Sequence, residues 1–80
     1  MNQGLRAYNS HAGTEPLGEM WRLEHAGRAL RCVLSTHALG WELNVWAGEA
    51  FSRSQVCKTQ ADVFATADAW KTEALSKGWE

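Results

Sequence analysis

The run TQADVFATADAWKTEALSKGW, residues 59–79, spells out one amphipathic helix with both of its ends marked. Val63, Ala67, Trp70 and Ala74 fall on a single stripe at helical spacing, with Phe64 and Leu75 on its flank. Asp62, Thr66, Asp68, Thr72, Glu73 and Ser76 take the opposite side. Thr59 is suited to the N-cap, where a side-chain oxygen accepts an otherwise unpaired backbone N–H, and Asp62 stands three residues on in the capping-box position. Lys77 lies in the last turn and Gly78 at the position where a left-handed residue stops a helix. Trp79 then follows where a contact back onto the helix is common.

Upstream the period changes from 3.6 to two, the signature of half-buried strands. Strand one is Met20 to His25, with Trp21 and Leu23 alternating with Arg22 and Glu24. Ala26-Gly27 is a tight hairpin turn, the glycine supplying positive φ. Strand two runs from Arg28 to Ser35, with Leu30, Cys32 and Leu34 on one face and Arg31, Val33 and Ser35 on the other. A longer connection, Thr36 to Gly40, leads to strand three, Trp41 to Trp46, whose faces are Trp41, Leu43, Val45 and Glu42, Asn44, Trp46. A second short turn at Ala47-Gly48 precedes strand four, which runs from about Glu49 to Cys57.

Four strands followed by one helix predict a two-layer α+β domain: an antiparallel meander, its turns too short for crossovers, with the helix packed on one face. Residues 19–80 form that domain. Residues 1–18, with Gly4, Gly13, Pro16 and Gly18 among polar residues and no sustained period, are expected to be a flexible arm. The helix stripe must cover Trp21, Leu23, Leu30, Cys32, Leu34, Leu43 and Val45, which leaves the other face bare.

Hairpin register says what that bare face carries. A two-residue turn at Ala26-Gly27 pairs His25 with Arg28, Leu23 with Leu30 and Trp21 with Cys32. It also sets Arg22 opposite Arg31 on the outer side. Like charges facing each other across strands repel, so the pair calls for nearby acids, for which Glu24 and Glu42 are the candidates, or for an anion bound between them, and local acids are favoured. In the second hairpin, a loop of Ala47-Gly48 opposes Asn44 to Phe51, whereas Gly48-Glu49 opposes Trp46 to Phe51. Either leaves Trp46, Phe51, Arg53 and Gln55 outside. A three-residue loop with a bulge would turn Phe51 and Cys57 inward, and the two-residue loop is favoured. The candidate partner-binding residues are therefore Arg22, Arg31, Val33, Asn44, Trp46, Phe51 and Arg53.

Composition narrows the function classes. Eighty residues give one domain and a small core, the size at which self-association is a common supplement. Eight Lys+Arg against nine Asp+Glu give no whole-chain argument for nucleic acid or an anionic membrane. No run approaches the roughly 18 apolar residues of a membrane span, and the N-terminus lacks the apolar core of a signal peptide. Cys32 and Cys57 are too few and too far apart for a disulfide-stapled secreted scaffold, so a cytoplasmic protein with reduced thiols is expected. Five tryptophans, at 21, 41, 46, 70 and 79, supply a small core with large side chains.

No chemistry-bearing frame emerges. His11, His25 and His37 with the two cysteines lack metal-ligand spacing, so no metal and no cofactor are expected. Ser35, Ser52 and Ser54 sit in no nucleophile elbow, the glycines occur singly at turns, and no catalytic residue is assigned. His37, in the longest connection, is the best single candidate for a polar site. Glu15/Glu19 and Asp62/Asp68 read as solubilising charge.

The expectation is thus a small non-enzymatic interaction module, a homodimer or a binder of a protein partner, using exposed aromatics and arginines of the outer face. The alternative is single-stranded nucleic acid stacked on the same aromatics. The order of four strands and a helix is similar to that of small single-stranded-DNA-binding coactivator-like domains and whirly-type domains, which work as dimers. This chain lacks dense Lys/Arg clusters, and a likeness of fold does not carry function.

Overall fold

The computed structural model describes residues 15–80. Four antiparallel strands, β1 (Pro16–His25), β2 (Arg28–His37), β3 (Gly40–Ala47) and β4 (Ala50–Cys57), form one open sheet in sequence order. A single helix, α1 (Gln60–Ser76), follows and packs on one face. This is the ββββα two-layer architecture expected. The expected arm lies outside the described residues up to residue 14, whereas Pro16, Leu17 and Gly18 belong to β1.

The first hairpin has the expected register: His25 faces Arg28, Leu23 faces Leu30, Arg22 faces Arg31 and Trp21 faces Cys32. Ala26 and Gly27 both take positive φ, 52° and 79°, as a type I′ turn requires. Between β2 and β3 the expected long connection is instead a two-residue turn, Ala38-Leu39, with His37 paired to Gly40. Gly40 is needed there for contact as well as conformation. Its φ is 142°, and a Cβ at this position would run into the carbonyl oxygen of Cys57 and lie 3.1 Å from Lys58 Cα.

The third hairpin closes through Gly48-Glu49, with Ala47 facing Ala50 and Trp46 facing Phe51. Gly48, at φ 62°, takes the first central position, the pattern of a II′ turn. A bulge follows at once, because the next pair is Val45 with Arg53, leaving Ser52 as the extra residue. Phe51 therefore stays outside while everything beyond it changes face. Arg53 and Gln55 point to the helix side, and Cys57 enters the core. β1 has register shifts between Pro16 and Gly18 and between Glu19 and Trp21; the latter lets both Met20 and Trp21 pack toward the core and puts Glu19 on the outer face.

The core lies between sheet and helix. Leu23, Leu30, Cys32, Leu43, Val45 and Cys57 meet Val63, Ala67, Trp70 and Ala74, the same helix stripe the spacing predicts. Leu43 and Cys32 are fully buried. Burying a side chain of leucine size contributes about 1.5–3 kcal/mol, so these few residues dominate the stability of a small domain. Trp21 adds a specific tie, its indole Nε1 donating to the Ala67 carbonyl of α1 at 2.8 Å.

Both helix ends are closed as expected. The Thr59 hydroxyl accepts the Asp62 N–H at 3.0 Å. At the other end the Gly78 N–H donates to Leu75 and the Trp79 N–H to Ala74, a Schellman arrangement around Gly78 at φ 103°. The chain then turns back to β1: Glu80 N–H donates to the Glu24 carbonyl at 2.8 Å, and Trp79 meets the His25 ring edge-on at 5.9 Å.

Candidate functional site on the outer sheet face

The registers of the three hairpins add up to a row that crosses the whole sheet. Arg22 faces Arg31, Arg31 faces Trp46, and Trp46 faces Phe51, so each strand contributes one side chain on the side away from α1. A second row, Glu19, Val33, Asn44 and Ser54, runs beside it. Six of the seven candidate residues are thus brought together: Arg22, Arg31, Val33, Asn44, Trp46 and Phe51. The seventh is not. Arg53 sits across the sheet, its Nη1 donating to Glu73 Oε1 at 3.0 Å and its guanidinium carbon 4.4 Å from the centre of the Trp70 ring. The Ser52 bulge is the cause, since one inserted residue reverses the alternation.

At the aromatic end of the row Trp46 and Phe51 meet edge-to-face, with centroids 5.3 Å apart and planes at 73°. Such a pair contributes about 0.5–1.5 kcal/mol beyond its buried area. Phe51 is nevertheless 53% exposed and Trp46 half-buried. At the basic end the facing arginines are neutralised from their own face. Glu19 Oε2 lies 3.5 Å from Arg22 Nη1 and 3.7 Å from Arg31 Nη1, and Glu24 Oε2 lies 3.9 Å from Arg22 Nε. The sequence points to Glu24 in this role but not to Glu19. Glu42, the other candidate, makes no ion pair among the described residues. Beyond these rows the face is less accessible: Ser35, whose cross-strand partners are Pro16 and Glu42, is buried.

The helix side carries a different feature that the sequence reading missed. A cleft of about 190 Å³ opens beside the C-terminal half of α1, lined by Trp21, Trp70 and Trp79 together with Ser52, Arg53, Glu73 and Lys77. Its charged groups are occupied with one another. Glu73 accepts from Arg53 and from Lys77 Nζ at 3.2 Å, and these hydrogen bonds, Arg53 first, hold its carboxyl below the usual carboxylate range. A second hollow, about 470 Å³ and broadly open, lies around the β1–β2 turn and Glu80.

His37 is engaged in its own turn, its Nδ1 accepting the Leu39 N–H at 3.0 Å. Cys32 and Cys57 are free thiols inside the core. Burial, with a smaller contribution from Cys57, pushes the Cys32 thiol up to about 11. Among the described residues no three His, Cys, Asp or Glu side chains gather as a metal site would need. Among the described residues no helix is long and apolar enough to cross a membrane.

Comparison of the chain with family models, with curated proteins and with solved structures finds no match.

Proposed function

We propose that this chain is a non-enzymatic interaction module whose contact surface is the outer sheet face, where it receives a second copy or another protein. The observation that carries this reading is the row Arg22–Arg31–Trp46–Phe51, which spans all four strands on the face away from α1. Aromatic and arginine side chains are the enriched anchors of protein interfaces, and an edge-to-face pair offers a rigid apolar knob at low entropic cost. A cytoplasmic setting goes with this reading, since two free buried thiols suit a reducing compartment.

The same face is less well equipped for single-stranded nucleic acid. Phosphate binding draws on cations free to exchange counterions, and Arg22 and Arg31 already share Glu19, with Glu24 also beside Arg22. The bulge has also removed Arg53 from the face.

A photo-crosslinking amino acid placed at position 46, in the cells that make the protein, tests the reading. Position 64 serves as control, because Phe64 is exposed on the helix. Protein adducts formed at 46 and not at 64 are the expected result. Absence of adducts at 46, or equal labelling at both positions, overturns it. Binding of a labelled oligonucleotide at low salt that Arg31→Glu abolishes would assign the face to nucleic acid instead.

A further inference from the structure

The order of side chains along the row makes the outer face complementary to itself, and we infer that its occupant is a second copy of this chain. This deepens the interaction reading above and rests on it. Arg22 and Arg31 occupy β1 and β2, while Trp46 and Phe51 occupy β3 and β4, so the basic and aromatic halves of the row lie on opposite sides of the sheet midline. Two sheets packed face to face can be related by a two-fold axis parallel to the strands, running between β2 and β3. That operation sets β1 over the partner's β4 and β2 over its β3. Arg31 of one copy then meets the Trp46 ring of the other, and Arg22 meets Phe51.

Each such contact is a cation over an aromatic face, and the operation generates every one of them twice. In the second row it sets Val33 over Asn44 and Glu19 over Ser54. The competing arrangement, with the axis perpendicular to the strands and lying along the row, stacks arginine on arginine. That arrangement forms no cation–aromatic contact and crowds four guanidinium groups that Glu19 and Glu24 offset only in part, so the first axis is the favoured one.

Size sets the expected strength. Four strands about 4.8 Å apart and roughly eight residues long give a plan area of about 500 Å² per copy. That is about 1,000 Å² for the pair, the lower bound for a specific interface. The dimer is therefore a reversible one that dissociates on dilution into the micromolar range.

Sedimentation equilibrium of the full chain, from low micromolar to submillimolar concentration, provides the test. Wild type is expected to pass from monomer to dimer. Trp46→Arg, which sets arginine over the partner's Arg31, is expected to weaken the dimer at least tenfold. The swapped variant Arg31→Trp/Trp46→Arg recreates the same cross-copy pair with its members exchanged, and is expected to recover association. A second measurement does not depend on these variants folding. Chains carrying Val33→Cys and chains carrying Asn44→Cys, once mixed, are expected to join through a short bismaleimide, the native Cys32 and Cys57 being shielded in the core.

A wild type that stays monomeric throughout overturns the self-association. Position 46 adducts with a different protein would then leave the interaction reading standing, whereas no adducts at all would remove both. A dimer indifferent to Trp46→Arg, or one that the swap fails to restore, overturns the pairing.

Discussion

Arg22 and Arg31 face each other across the β1–β2 ladder, and one carboxylate, Glu19 Oε2, reaches both at 3.5 and 3.7 Å. Paired guanidinium groups in neighbouring strands repel, so Glu19 serves the sheet as the counter-charge of a pair rather than of a single residue. Glu19→Gln is expected to lower stability by about 0.5–1 kcal/mol, the range of a partly exposed ion pair. Urea denaturation at low and high salt checks this. The deficit should shrink as salt screens the arginines from each other, and an equal deficit at both ionic strengths would contradict the electrostatic account.

The first turn carries a removable strain. Ala26 holds φ at 52°, a region in which a Cβ is unfavourable and Asn or Gly is not. Ala26→Asn is expected to stabilise the protein by about 0.5–1 kcal/mol, read as a rise in the urea midpoint with unchanged slope.

At Gly40 the opposite holds. Here a methyl group meets backbone, the Cys57 carbonyl and Lys58 Cα, rather than a side chain able to move aside. Gly40→Ala is therefore expected to cost about 3 kcal/mol or more and to loosen the β3–β4 pairing at Trp41–Cys57. Amide exchange localised to that end of β4 would report it; a variant as stable as wild type would show that the backbone yields at this point.

How far the sequence could be read depended on whether alternation was continuous. Period two and the Ala26-Gly27 turn locate Leu23, Leu30, Cys32 and Arg31 on their correct faces, because nothing interrupts β2. The helix stripe and both caps are equally legible, since N-cap and Schellman signals are local. The three register shifts, two in β1 and one in β4, are not. An extra residue at Met20 or Ser52 leaves no compositional mark, yet it reverses every face beyond it. Unbroken alternation therefore hides Glu19 as the arginines' partner and sends Arg53 and Gln55 to the outer side, whereas they reach Glu73 and Thr66 of the helix. Phe51 kept its predicted face because the bulge begins just after it.

The buried Cys32 thiol gives a pH signature. Burial raises Cys32 from its ordinary range to about 11, so the folded state keeps the proton that the unfolded chain releases first. The contribution is complete below pH 9 and is lost as pH rises from 9 toward 11. Raising the value from 9.0 to about 11 also cuts the thiolate fraction at neutral pH by about a hundredfold. A thiol reagent at pH 8 should therefore leave Cys32 unlabelled until denaturant is added, and Cys57, 2% exposed, is shielded by burial alone. Rapid labelling of the native protein would show that the space between sheet and helix is open.

Trp46 and Trp70 separate contact from folding. Trp70 is 8% exposed and forms the centre of the helix stripe, with Arg53 laid against its ring. Truncating a side chain of that size in a core leaves a cavity as well as lost burial, so Trp70→Ala is expected to cost about 3–5 kcal/mol. In a chain of 80 residues that is a large share of the total stability. Trp46 is half-buried on the opposite face, meeting the Phe51 ring edge-to-face and facing Arg31 across the β2–β3 ladder. Trp46→Ala is expected to cost about 1 kcal/mol, from the edge-to-face pair and modest area. Thermal melts of the two variants beside wild type make the comparison. A Trp46 variant as unstable as the Trp70 variant would mean that the outer face is part of the folding core, and that its aromatics are held there for packing rather than for contact.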